Sequence, residues 1–187
     1  GSRLGAWVGN IIARLAEKAE KLLLMYCHHV VTAVDPVGRA FQGVKIPHTI
    51  IFNYPSLSVF QVDSDRVETI KTRYSGRLPI IYHGTMSVER GLFHMLEAVA
   101  LARQVEPRLQ LRLIGMPDGD LRELVMRKLS ELDIQSNVEI SGWIPYDEIA
   151  LAIHTSLIGL VPLLPNPKYD RALPIKLLEY MACGLPV

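Results

Sequence analysis

Between residues 10 and 27 (NIIARLAEKAEKLLLMYC) apolar side chains recur at helical spacing. Ile11, Ile12, Leu15, Ala19, Leu22 and Leu23 share one face, with Arg14, Glu17, Lys18, Glu20 and Lys21 elsewhere, which predicts an amphipathic helix. Acidic residues among the basic ones favour a helix packed on a sheet over one lying on a membrane. Residues 29–34 (HVVTAV) predict a short buried strand, Asp35-Pro36 a helix start, and residues 49–52 (TIIF) another strand. Asn53-Tyr54-Pro55-Ser56 breaks regular structure, and a polar stretch follows over 64–77. An interdomain linker is expected within 53–77.

From Leu78 the pattern becomes regular. Strands are predicted at 78–84 (LPIIYHG), 109–115 (LQLRLIG), 137–141 and 157–162, with helices at 89–103, 118–132, 146–154 and 174–183. A last strand is expected to begin at Pro186-Val187. Strands alternating with helices predict an α/β fold, a Rossmann-like doubly wound parallel sheet. The opening Gly1-Ser2 and the ending Leu185-Pro186-Val187 read as those of an excerpt, truncated at both ends.

Composition changes little in this picture. Among 187 residues, 49% are apolar and 21% charged, as in a soluble globular domain. Twenty basic and 19 acidic residues leave a net charge of +1, so no global field attracts nucleic acid, and none is expected as a partner. Cys27 and Cys183 fit no zinc or redox spacing and read as buried, reduced thiols. No apolar run reaches the roughly 18 residues that span a bilayer.

Ligands of an open parallel sheet bind at the carboxyl ends of its strands. There is no GxGxxG and no Walker sequence, which disfavours a standard dinucleotide site and a P-loop. In YHGTMSVERG (82–91), Gly84 at a strand end lets backbone approach a ligand, and the Arg90 guanidinium could grip two phosphate oxygens. Equally, Gly84 and Gly91 could only make turns, with Arg90 a solvated first-turn residue. In YDRALPIKLLEYMACGLPV (169–187), Pro174 at the first helical position leaves the amides of Ile175 and Lys176 facing an anion. Glu179, one turn on, could accept two hydrogen bonds from a ribose diol. By itself it reads more simply as a surface residue or a partner of Lys176. Leu178, Met181 and Ala182 are expected in the core. Trp143, in Gly142-Trp143-Ile144-Pro145, is expected to be a buried anchor more than a stacking platform. His83 sits at a strand end and reads as supporting or structural; no Ser-His-Asp order, HExxH or paired aspartates occur.

Four motifs in order carry a family resemblance. YHGTMSVERGLFHMLEA at 82–98 is similar to YxGRLSxEKGxxxLIEA; Leu113-Ile114-Gly115 is similar to a strand ending LIG. VEISGWIPYDE at 138–148 is similar to VxFxGWVPxxE, and KLLEYMACGLPV at 176–187 to KLLEYMAxGxPVV. Residues 78–187 thus resemble the C-terminal domain of family 4 glycosyltransferases, which have the GT-B fold. Residues 1–62 resemble the end of that family's acceptor domain with its hinge, NYPSLSVF at 53–60 matching the hinge segment, and 63–187 a partial nucleotide-sugar domain lacking its last strand and helices.

The resemblance implies retaining transfer of a sugar from a nucleotide-diphosphate donor to a sugar or lipid-linked acceptor, in polysaccharide or glycolipid synthesis, without a metal or other cofactor. It also implies a cytoplasmic protein with peripheral contact at the inner face of the membrane, through the N-terminal domain. Arg90 and Lys176 would neutralise the departing diphosphate, with the amides of Ile175 and Lys176, and Glu179 would bind ribose. Gly84, Thr85, Gly115 and Gly142 would line the donor site. Thr85 stands where the family often has arginine, so one diphosphate cation is missing. Arg171 replaces the first glutamate of an E-x7-E pair. A GT-B sugar-nucleotide epimerase, or a binding module with a degenerate site, are the competing readings, and the fragment alone is expected to transfer no sugar.

Overall fold

A computed structural model describes residues 2–33, 46–115, 119–167, 169–170 and 172–187. The chain divides into two compact units, Gly1–Asn53 and Tyr54–Val187.

In the first unit, helix α1 (Ser2–Leu24) begins earlier than its apolar repeat predicts. Ile12, Leu15, Leu22 and Leu23 are exposed, so the expected packing of this face on a sheet is not found. The amphipathic pattern suffices to form the helix, yet no described residue covers its apolar stripe. Cys27, just beyond α1, is exposed rather than buried. Strands β1 (Val30–Thr32) and β2 (His48–Ile50) pair in parallel, Val30 opposite His48. The Thr32 hydroxyl and His48 Nε2 share a hydrogen bond of 2.8 Å across the pair. The helix start expected at Asp35-Pro36 lies outside the described residues.

The second unit opens with a 3-10 turn, Leu57–Phe60, and helix α2, Ser64–Arg73. Both lie where only linker was expected. Phe60 packs in this unit's core, which places the division between the units before residue 62. Helix α2 buries no side chain, so no apolar period announces it. Its signal is the cap: Asp63 accepts from the Asp65 amide at 2.7 Å.

Then follow β3 (Leu78–His83), a 3-10 turn (Val88–Arg90), α3 (Leu92–Ala102), β4 (Leu109–Ile114) and α4 (Asp120–Glu131). β5 (Val138–Ser141), α5 (Tyr146–His154), β6 (Ile158–Gly159) and α6 (Ile175–Ala182) complete it. The predicted helix at 89–103 is split because the Ser87 hydroxyl accepts from the Arg90 amide, closing a 3-10 turn, and Gly91 turns left-handed (φ 73°) before α3. Strand β6 is shorter than predicted, although Leu157 and Leu160 still donate to the Pro79 and Ile81 carbonyls at 2.8 Å. Pro186 is not in a strand, but its carbonyl accepts from the Gly159 amide at 2.8 Å.

The strands form a parallel sheet in the order β5-β4-β3-β6. Side chains alternate between its faces. Ile80, Tyr82, Leu111 and Leu113 pack with Leu92, Leu96 and Val99 of α3 and Val125 and Leu129 of α4. Ile81 and Ile114 pack with Ala150 and Ile153 of α5, Tyr180 of α6, and Phe60. Helices therefore cover both faces, as doubly wound topology requires. Burying each such aliphatic side chain contributes roughly 1.5–3 kcal/mol. Among the described residues, no helix is long and apolar enough to cross a membrane.

Candidate functional site

The winding direction reverses between β3 and β6, which are sheet neighbours although β4 and β5 separate them in sequence. Such a reversal opens a crevice at the strands' carboxyl ends. A cavity of about 470 Å³ lies there, lined by His83 at the end of β3, by Gly84, Thr85 and Arg90 beyond it, by Trp143 and Tyr146 after β5, and by the start of α6 with Lys176 and Glu179.

Backbone packing sets the width of the crevice. A side chain on Gly115 would bring its Cβ within 2.6 Å of the Gly84 carbonyl oxygen, so the ends of β3 and β4 pack closely only without one. Both glycines have positive φ, 102° and 119°. Gly159 likewise leaves room for the Tyr180 ring, which seats α6 against β6. Pro174, with φ −65°, caps α6, which begins one residue later than predicted, at Ile175. The amides of Ile175 and Lys176 are then the first two of the helix and have no intrahelical acceptor.

Three polar side chains within it, His83, Lys176 and Glu179, are buried. Lys176 is only 8% and Glu179 only 4% exposed, so the reading of Glu179 as a surface residue fails. The Glu179 carboxylate engages groups other than Lys176. Its Oε1 accepts from the Tyr146 hydroxyl at 2.7 Å, and its Oε2 lies 3.1 Å from His83 Nε2, not aligned for a hydrogen bond. Burial raises the Glu179 pKa, while Tyr146 and the Lys176 ammonium pull it down. Burial, then Lys176, holds His83 down to about 3, so its ring is neutral at physiological pH. Lys176 Nζ has no hydrogen-bond partner among the described residues and sits 3.3 Å above the centre of the Tyr82 ring. Burial and neighbouring Arg90 lower its pKa from 10.5 to about 7, against an opposing pull from Glu179.

Of the residues singled out in the sequence, Gly84, Thr85, Arg90, Ile175, Lys176 and Glu179 line this one cavity. Gly115 and Gly142 do not; Gly115 instead joins strand ends, its amide donating to the Ser141 carbonyl at 3.1 Å. Arg171 lies outside the described residues. Trp143 is 64% exposed and lines the cavity, which corrects the expected buried anchor. It lies in the loop that follows β5, at the edge of the cavity. Tyr146 and Tyr169 are lining residues that sequence reasoning missed. Tyr146 opens α5, and only its contact with Glu179 across the fold marks it out. Burial pushes the Cys183 thiol up to about 11, which favours its protonated form at physiological pH.

The crevice thus gathers the Lys176 amine, the Arg90 guanidinium, the first amides of α6 and, one helical turn along α6, the Glu179 carboxylate. Among the described residues no cluster of three or more His, Cys, Asp or Glu side chains could hold a metal.

The family model described as "Glycosyl transferases group 1" matches residues 77–187. Over 111 residues the chain is 29% identical to the amylovoran biosynthesis glycosyltransferase AmsK of Erwinia amylovora, covering 59% of this chain and 27% of that protein. Among solved structures it is similar to the sucrose-phosphate synthase of Thermosynechococcus elongatus (TM-score 0.69, 21% identity, 93% of this chain and 43% of that one). It is also similar to Anabaena Alr3699/HepE in complex with UDP and glucose (TM-score 0.73, 15% identity, 91% and 47%). These structural likenesses carry the fold, that of GT-B proteins. The chain spans about a quarter of its curated relative and under half of these solved chains.

Proposed function

Because the chain belongs to the glycosyl transferases group 1 family, we propose that the intact protein moves a sugar from a nucleoside-diphosphate donor to an acceptor hydroxyl. The donor lies in the β3–β6 crevice. The observation that carries this reading is Lys176, a buried amine without a hydrogen-bond partner among the described residues, close to Arg90 and in the first turn of α6. Two basic side chains beside a helix N-terminus fit a diphosphate.

In this reading Arg90, Lys176 and the amides of Ile175 and Lys176 take the diphosphate, Glu179 takes the ribose diol, and Trp143 faces the base. Gly84 and Thr85 let backbone approach the phosphates. When the bond from the anomeric carbon to the diphosphate oxygen breaks, negative charge gathers on that oxygen. Fixed donors aimed at it lower the barrier. The acceptor oxygen forms the new bond to the anomeric carbon, and its proton passes to the departing diphosphate oxygen.

As in family 4, transfer proceeds with retention, the protein's own cations standing in for a metal. UDP-sugars are the first donors to try, since HepE has been solved with UDP and with UDP-glucose. The resemblance to AmsK, an amylovoran biosynthesis glycosyltransferase, supports a role in polysaccharide assembly; a sugar or lipid-linked acceptor at the cytoplasmic face of the membrane completes the proposal.

The test is nucleotide release and product formation by the purified intact protein. A panel of UDP-, GDP- and ADP-sugars is offered in EDTA, with lipid-linked and free sugar acceptors. Acceptor-dependent transfer, with the anomeric configuration retained by NMR and lost in Lys176→Met, is expected. Acceptor-independent epimerisation of the donor would replace this reading with an epimerase. Nucleotide binding without turnover would replace it with a binding module.

A further inference from the structure

Glu179 is buried, and both of its oxygens already meet protein groups. Left alone, its flexible side chain would sample several rotamers within the cavity, and each would present a different pair of lone pairs to a ligand. The structure restrains that freedom at one oxygen, where the Tyr146 hydroxyl donates to Oε1 at 2.7 Å. His83 Nε2 lies 3.1 Å from Oε2 without hydrogen-bond alignment, so it borders that side without binding it.

Tyr146 is itself held, although 47% of it is exposed. Its ring meets Phe60 edge-on, with centroids 5.7 Å apart and planes at 90°. Phe60 is buried, and its carbonyl accepts from His154 Nε2 at 2.9 Å. Tyr146 and His154 are the first and last residues of α5, so the helix grips Phe60 at both ends and fixes where the phenol points.

We infer that Tyr146 is a positioning residue: it holds the Glu179 carboxylate in the one orientation that receives both hydroxyls of a ribose, and so sets the preference for a ribonucleotide. This rests on the reading of Glu179 as the ribose acceptor. A carboxylate oxygen accepts more than one hydrogen bond, so the phenol fixes Oε1 without using up its capacity. Supporting groups of this kind fix the geometry of the group that touches the ligand. Because burial disfavours the charged carboxylate, the phenolic proton also helps keep it ionised as an acceptor.

The test titrates UDP and 2′,3′-dideoxy-UDP calorimetrically into the intact protein, as wild type, Tyr146→Phe, Glu179→Gln and the double variant. Phenylalanine keeps the ring against Phe60, and a thermal melt confirms folding of each variant. Wild type is expected to prefer UDP by tenfold or more. Tyr146→Phe should cut that preference by about tenfold, the usual consequence of losing one hydrogen bond to a charged group. It should leave the dideoxy affinity unchanged, and in the Glu179→Gln background it should change nothing further. Tyr146→Phe keeping the full preference, or weakening both nucleotides alike, would overturn the positioning role while leaving Glu179 its ribose. A wild type that binds both nucleotides equally would overturn the ribose reading of Glu179 and the role of Tyr146 with it.

Discussion

Replacing Lys176 by methionine should move stability and ligand affinity in opposite directions. The side chain is 8% exposed, and its ammonium has no hydrogen-bond partner among the described residues. What offsets its lost hydration is the face of Tyr82 and a more distant Glu179, against repulsion from Arg90. The resulting fall of its pKa from 10.5 to about 7 means that the folded chain binds fewer protons than the unfolded chain between those values. Stability should therefore rise as pH rises from about 7 towards 10.5, and the penalty is fully present below 7. At 1.36 kcal/mol per pH unit its ceiling is about 5 kcal/mol. Water entering an open crevice relaxes it, so a gain of roughly 1–3 kcal/mol is expected for Lys176→Met at pH 6. Methionine fills a similar volume and buries no charge.

A bound diphosphate reverses the balance. It supplies the missing counter-charge, so Lys176 should regain its proton on binding above pH 7. UDP affinity should then fall by up to tenfold per pH unit between pH 7.5 and 9. The calorimetric enthalpy should depend on the buffer's ionisation heat, reporting proton uptake. Lys176→Met should lose both effects and bind UDP more than tenfold more weakly, from the loss of a charge-assisted hydrogen bond worth about 1.5–3 kcal/mol. Denaturant melts at pH 6 and pH 9 give the stability half, and titrations in phosphate-free buffers the binding half. A destabilised methionine variant that binds UDP normally would show that the ammonium serves the fold and not a ligand.

Two further outcomes follow from the same geometry. Arg90→Ala should weaken UDP binding more than tenfold and leave uridine binding little changed, measured by titration of both; equal losses would make Arg90 structural. Gly115→Ala places a Cβ 2.6 Å from the Gly84 carbonyl oxygen at φ 119°, so it should lower stability by roughly 1–3 kcal/mol in denaturant melts, and an unchanged midpoint would mean the strand ends are not closely packed.

Much of the second unit was legible because its elements obey simple periods. Strand β3 is a continuous apolar run ended by glycine, and α5 was predicted with the observed bounds because YDEIALAIH (146–154) keeps a helical apolar stripe. Helix α2 was not legible, since a helix that buries nothing has no stripe, and its one mark is a single aspartate cap ahead of a polar stretch. The exposed face of α1 escaped for the opposite reason: the stripe is plain, but a stripe cannot say what covers it. Trp143 and Tyr146 were missed as lining residues because their direction depends on where α6 sits, which sequence spacing does not contain.

Helix α6 holds the sharpest conflict between local pattern and fold, and that conflict marks the site. Hydropathy places Met181 in the core and Lys176 and Glu179 outside. The structure does the reverse, with Met181 64% exposed and both charged residues buried. Orientation is decided by Tyr180, whose fully buried ring fits only where Gly159 has no side chain and whose hydroxyl donates to the Ile81 carbonyl at 3.3 Å. With Tyr180 locked against β6, the helical period brings residues one and four positions earlier, Glu179 and Lys176, to the crevice, and Met181 away from it. An ammonium and a carboxylate turned inward oppose their own solvation, so a packed aromatic anchor must hold them there. Local rules that are overruled at such a cost tend to be overruled at functional sites. In this chain the overruled residues are those that the glycine-ended strand and the open helix start already surround.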